Sequence, residues 1–129
     1  MTRLLKILAA TAVAFAMTAP ALAAPLSPVG VWETENGASR FKVELCGDGT
    51  QVCAKLVWLR DDARTPDNLR YLNTYVLKGA KRALENKWRG NAQYQGETVR
   101  GTLTILDADS MTINGCKGAL CERIDLRRI

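Results

Sequence analysis

Two short cysteine brackets, Cys46 with Cys53 and Cys116 with Cys121, constrain this chain more than any other feature. Each pair flanks an expected hairpin tip, and pairs so close in sequence act as staples where disulfides form and persist. The first residues supply that setting. Arg3 and Lys6 give a positive start, Ile7 to Met17 an apolar run, and Ala21-Leu22-Ala23 a small-x-small cleavage site. This is the pattern of a secretory signal, with cleavage expected before Ala24. The two features together predict a small exported β-protein.

The apolar run is too short to span a bilayer, which takes ~20 residues for ~30 Å, and no later segment is apolar for long enough. The mature chain is expected to have no transmembrane segment. No cysteine follows the cleavage site to carry a lipid anchor, so the expected location is the free periplasm. Removing residues 1–23 from 129 leaves 106, one domain over residues 24–129. Loss of Arg3 and Lys6 takes 18 basic residues to 16 against 13 acidic ones, a net charge of +3. So small an excess does not argue for nucleic acid, and neither does export. The stretch from Arg60 to Arg89 is more basic and could meet an anionic envelope surface; the ordinary reading is a solvated face.

Strand signals fill the chain. Val31 to Thr34 runs into Asn36-Gly37, a two-residue hairpin signal, and Arg40 to Leu45 alternates charged and apolar residues. With Cys46 facing Cys53, Leu45 falls opposite Ala54, Val43 opposite Leu56, Phe41 opposite Trp58 and Glu44 opposite Lys55. In the later half, Gln95-Gly96 turns the chain so that Tyr94 faces Glu97, Ala92 faces Val99, Gly90 faces Gly101 and Trp88 faces Leu103. The loop Asp107–Ser110 brings Ile105 near Met111 and Leu103 near Ile113. Gly118-Ala119 closes a last hairpin pairing Cys116 with Cys121, Ile113 with Ile124 and Met111 with Leu126. Asp61 to Arg70 reads as a loop and Tyr71 to Leu77 as a weaker strand.

About eight short antiparallel strands in one small domain predict an all-β fold, an up-and-down barrel clipped by two local disulfides. In such a barrel the second-to-third and seventh-to-eighth turns lie at opposite ends, which leaves only the local pairings within reach, provided that the weak fourth strand is a full traverse; otherwise both tips fall at one end and crossed pairings are not excluded in this way.

Several of these motifs carry a resemblance. Gly30-Val31-Trp32 followed by Thr34, Asn36-Gly37, Val43 to Cys46, Cys53 to Leu59, Trp88-x-Gly90, and Asn114-Gly115-Cys116 through Cys121 resemble the exported bacterial domain-of-unknown-function family twenty-one forty-seven. The resemblance implies a lipocalin-type (calycin-like) barrel with no established activity and no catalytic residues to carry over. Ala54 departs from a usual glycine, and Leu126 from a usual aromatic, which weakens any shared stacking role at that position. Gly30-x-Trp32 also resembles the lipocalin opening, where an arginine from the last strand covers the tryptophan. Ile124, Leu126 and Arg128 share one face, so Arg128 is expected to stack on Trp32 as a structural pair.

The chain has no histidine, which removes the usual general base and the commonest transition-metal ligand. Asp61-Asp62 reads as a solvated loop, and Asp107 with Asp109 as turn chemistry without the remaining ligands of a calcium loop. The cysteine spacings fall outside a zinc knuckle. Neither catalysis, nor a metal, nor a cofactor is expected. Binding remains. The inward set Trp32, Phe41, Trp58, Trp88, Leu103, Met111 and Ile113 would line a barrel wide enough to fill itself or to hold one small ligand. Gly90, Gly101 and Gly115 lie side by side on the inner face, where they either leave room for a ligand or permit tight coiling. The expected function is non-catalytic binding of a small apolar or amphipathic envelope molecule. The alternative is a protein-interaction module, such as an inhibitor of an exported hydrolase, acting through Asp61 to Arg70.

Overall fold

The computed structural model describes residues 11–16 and 26–129. Arg3, Lys6 and the Ala21-Leu22-Ala23 site lie outside the described residues. Eight strands follow one another: β1 (Gly30–Thr34), β2 (Ser39–Cys46), β3 (Gln51–Leu59), β4 (Tyr75–Leu84), β5 (Lys87–Tyr94), β6 (Glu97–Asp107), β7 (Ser110–Lys117) and β8 (Leu120–Arg128). Each pairs antiparallel with its sequence neighbour, and β8 closes on β1, so the sheet is a closed up-and-down barrel. Period-two alternation places the core. On β6, Val99, Gly101, Leu103 and Ile105 are buried while Arg100 is exposed between them. Trp32, Val43, Val52, Leu77, Leu103 and Met111 are the largest fully buried side chains.

In the second half the observed register is the one the alternation predicts. Trp88 pairs with Leu103, Gly90 with Gly101 and Ala92 with Val99. Leu103 then pairs with Ile113, and Ile113 with Ile124. The Cys46–Cys53 and Cys116–Cys121 disulfides are both local, and the turns they clip lie at opposite ends of the barrel.

The first half differs in register. Cys46 opposes Gln51 and Glu44 opposes Cys53, so the Cys46–Cys53 bond runs diagonally and the apolar pairs are Val43 with Ala54 and Phe41 with Leu56. The strands pair two residues further toward the tip because a tight turn closes from Gly49 N–H to the Cys46 carbonyl at 3.0 Å. Asp48 supports the turn by accepting from the Thr50 N–H and hydroxyl. The slip buries Val52 and puts Lys42 opposite Lys55; Glu44 accepts instead from the Tyr75 hydroxyl at 2.6 Å. A slip of two preserves the face of every side chain, so alternation alone does not exclude it.

A bulge between Arg40 and Phe41 then changes the face of Trp58. The extra residue on β3 sets Trp58 opposite Arg40, on the outside, and turns Leu59 inward. Trp58 therefore does not line the interior; its ring lies 4.3 Å from the Arg40 guanidinium. The β1–β2 tip is also wider than two residues, because the Thr34 hydroxyl takes the Ser39 N–H and ladder pairing stops at Glu33–Arg40.

The fourth strand starts later and is a full traverse of ten residues, Tyr75–Leu84, where a weaker strand over Tyr71 to Leu77 is expected. Asn73, at φ 62°, ends the preceding loop. The register shifts between Lys78 and Lys81, with Gly79 at φ 56°, break the period-two pattern by which the strand would be recognised.

Candidate functional site

The two ends of the barrel are built differently. At one end the chain before β1 crosses the opening and is held there. The Trp32 indole N–H donates to the Pro28 carbonyl at 2.8 Å. Arg128, opposite Trp32 in the β1–β8 register, lies 4.3 Å from its ring centroid. The same guanidinium donates to the carbonyls of Ala108 (2.8 Å), Val29 (2.7 Å) and Ser27 (2.7 Å). Gly30 makes room for it, since a Cβ there would stand 2.6 Å from Arg128 Nη1. This end is shut.

The opposite end holds a cavity of ≈ 610 Å³. Phe41 from β2, Leu56 and Leu59 from β3, Val76 from β4 and Ile113 from β7 give it apolar walls. Its rim is the β3–β4 loop, which opens with a 3₁₀ turn (Asp61–Ala63) and a single-turn helix (Pro66–Leu69) capped by the Thr65 hydroxyl. Arg60 anchors the loop. Its guanidinium grips Asp62 through Nε at 2.6 Å and Nη2 at 3.0 Å, and donates through Nη1 to the Asn36 carbonyl at 2.8 Å. This pairing holds the Asp62 carboxyl below its ordinary range.

Two tyrosines mark the mouth. The Tyr71 hydroxyl accepts the Gly96 N–H, tying the loop to the β5–β6 turn. The Tyr94 hydroxyl accepts from Gln95 Nε2 at 3.2 Å, and the Glu122 carboxylate on the same rim raises its pKa above the ordinary tyrosine value. The cavity is thus apolar within and hydrogen-bonding at the rim.

Of the inward residues expected to line a ligand site, Phe41 and Ile113 reach this cavity. Trp32, Trp88, Leu103 and Met111 are buried in the packed core instead, and Trp58 is outside. Gly90 and Gly101 leave no space. A Cβ on Gly90 would meet the Lys78 carbonyl at 2.6 Å and Ala80 Cα at 2.7 Å, where β4 bulges against it. One on Gly101 would meet Ala92 Cβ at 2.7 Å and Leu77 Cδ1 at 2.8 Å. Gly115 is different: it lines the cavity, and its nearest neighbour would be Val99 Cγ2 at 3.5 Å. Sequence reasoning missed Leu59, Tyr71, Val76, Tyr94 and Ile124. Inward parity at the ends of β7 and β8 is a signal for Ile124, whereas nothing local marks Tyr71.

Among the described residues no three His, Cys, Asp or Glu side chains gather into a metal-ligating group, and no helix is long and apolar enough to cross a membrane. No curated protein and no solved structure matches the chain. A family model described as an uncharacterized protein conserved in bacteria matches residues 30–128, from the first residue of β1 to the last of β8. The chain belongs to this bacterial family of unknown function, DUF2147.

Proposed function

We propose that this protein is a non-catalytic, exported binding protein that holds one small apolar or amphipathic envelope molecule in the cavity at the open end of its barrel. The observation that carries the reading is the cavity itself: ≈ 610 Å³, within the range of small-molecule sites, apolar in its depth and polar at its mouth. An amphipathic ligand would bury its chain against Leu56, Leu59 and Ile113 and leave its polar end beside Tyr94 and Glu122. The absence of histidine from the chain supports a binding role over catalysis. The signal-like first residues and the two disulfides support release into the periplasm. The inhibitor reading wants a projecting loop. Here Ala63, Asp67 and Arg70 line the cavity rim, so the loop is better suited to covering a ligand.

Native mass spectrometry of protein purified gently from periplasm tests the reading. An adduct that leaves on denaturation is expected, and its mass identifies the ligand class. Gly115→Leu should fold and lose the adduct, since the space before Gly115 is open and its backbone is unstrained. A bare wild-type protein that also takes up no fluorescent fatty-acid probe would overturn it.

A further inference from the structure

The charges on the outer wall are unevenly sorted. Among the described residues, the ion pair Glu33–Arg40 joins β1 and β2, Arg123–Asp125 lies on β8, and Glu97–Lys117 joins the first residue of β6 to the last of β7. β4 and β5 contain no acidic residue, and β6 has acids only at its first and last positions. The register brings the outward residues of these three strands into a grid. Lys81 pairs with Arg89 and Arg89 with Thr102; Lys78 pairs with Asn91 and Asn91 with Arg100. All but the half-buried Thr102 are exposed. Strand spacing of ~4.8 Å makes the grid about 10 Å wide.

The β4 bulge contributes to this arrangement. Lys78 and Lys81 are three positions apart, yet both are exposed because Gly79 and Ala80 are accommodated between them with Ala80 turned into the core. Lys81 directly opposite Arg89 is a like-charge cross-strand pair, an arrangement that disfavours the isolated sheet. None of the four cations takes part in an ion pair among the described residues. Asp48, at the β2–β3 tip, is engaged by Thr50, accepting from its N–H and hydroxyl. Beyond the grid the same strands carry two exposed aliphatics, Leu84 (60%) at the end of β4 and Leu106 (62%) near the end of β6.

We infer that the β4–β6 wall is a docking surface for an anionic phospholipid bilayer. Lys78, Lys81, Arg89 and Arg100 supply charge complementarity to lipid phosphates, with Asn91 and Thr102 as further hydrogen-bond donors. Leu84 and Leu106 supply the apolar contacts that distinguish a lipid surface from a soluble polyanion. The wall is separate from the cavity mouth, so docking leaves the mouth open.

Co-sedimentation of the protein, as isolated from its host, with vesicles tests this. Binding to phosphatidylcholine vesicles containing phosphatidylglycerol is expected, with none to phosphatidylcholine alone and loss of binding in about 0.5 M salt. Replacing Lys78, Lys81, Arg89 and Arg100 together by Gln should weaken binding at least about a hundredfold, from roughly fivefold per charge. Lys42→Gln, on β2 and outside these three strands, should change it less than about twofold. Equal binding to neutral vesicles, insensitivity to the fourfold replacement, or binding to a soluble anionic polysaccharide but not to vesicles would each overturn the assignment. The salt titration of wild type stands whether or not the fourfold variant folds.

Discussion

Arg128 faces Trp32 across the seam that closes the barrel, its guanidinium 4.3 Å from the indole centroid and three of its N–H groups spent on carbonyls of Ala108, Val29 and Ser27. One side chain therefore joins β8, the β6–β7 turn and the segment before β1. Its planar fork satisfies all three acceptors while stacking, which an ammonium cannot do. Arg128→Lys should lower stability by about 2 kcal/mol. In a domain of this size that is roughly a 10 °C fall in melting temperature. An unchanged melt would show that the seam does not depend on this contact.

The glycines on the inner wall should separate by substitution. Gly101→Ala forces a methyl into Ala92 and Leu77, and overpacking of that kind costs typically ~1–3 kcal/mol. Gly115→Ala enters the cavity and should be neutral within about 0.5 kcal/mol. Chemical denaturation of the two variants reads the difference. Equal losses would mean that Gly115 is packed as tightly as Gly101.

The disulfides close loops with sequence separations of 7 and 5. On the chain-entropy model each contributes roughly 2–2.5 kcal/mol. Reduction should lower the denaturation midpoint without abolishing the barrel, whose ladder closes independently of either bond. Loss of the far-ultraviolet β signal on reduction in buffer would contradict this.

The mouth should respond to alkali. Glu122 raises the Tyr94 pKa above its ordinary value near 10, so this contact stabilises the folded state at pH below that value and is lost as pH rises through the raised one. Glu122→Gln should move the Tyr94 phenolate absorbance transition down toward the ordinary range. A transition that stays put would assign the shift to burial, which acts in the same direction.

How far the alternation of residues could be followed depended on interruptions in it. From Trp88 to Leu126 it is nearly unbroken, so the register of four strands and the Cys116–Cys121 pair could be read directly. Between β2 and β3 the same alternation fits two registers that differ by a slip of two, and only the turn from Cys46 to Gly49 chooses between them. β4 was mostly hidden because its bulge at Gly79 breaks the period. The cavity was legible only through Phe41, Ile113 and Gly115, because its remaining wall comes from a loop whose position depends on the Arg60 clamp to Asn36 and Asp62.

The bulge at Arg40 yields the sharpest contrast between adjacent residues. A regular ladder would put Trp58 in the barrel and Leu59 outside; here Trp58 stacks on Arg40 at the surface while Leu59 is 4% exposed and faces the cavity. Trp58→Ala should then cost about 1 kcal/mol, an exposed cation–π contact plus partial burial. Leu59→Ala should cost about 2 kcal/mol or more, although it removes the smaller side chain, because it deletes buried methyls. Probe uptake should be unaffected in the first variant and altered in the second, since only Leu59 lines the cavity. The reverse order of losses would restore the regular register and return Trp58 to the interior, so the two melts decide which residue the barrel holds.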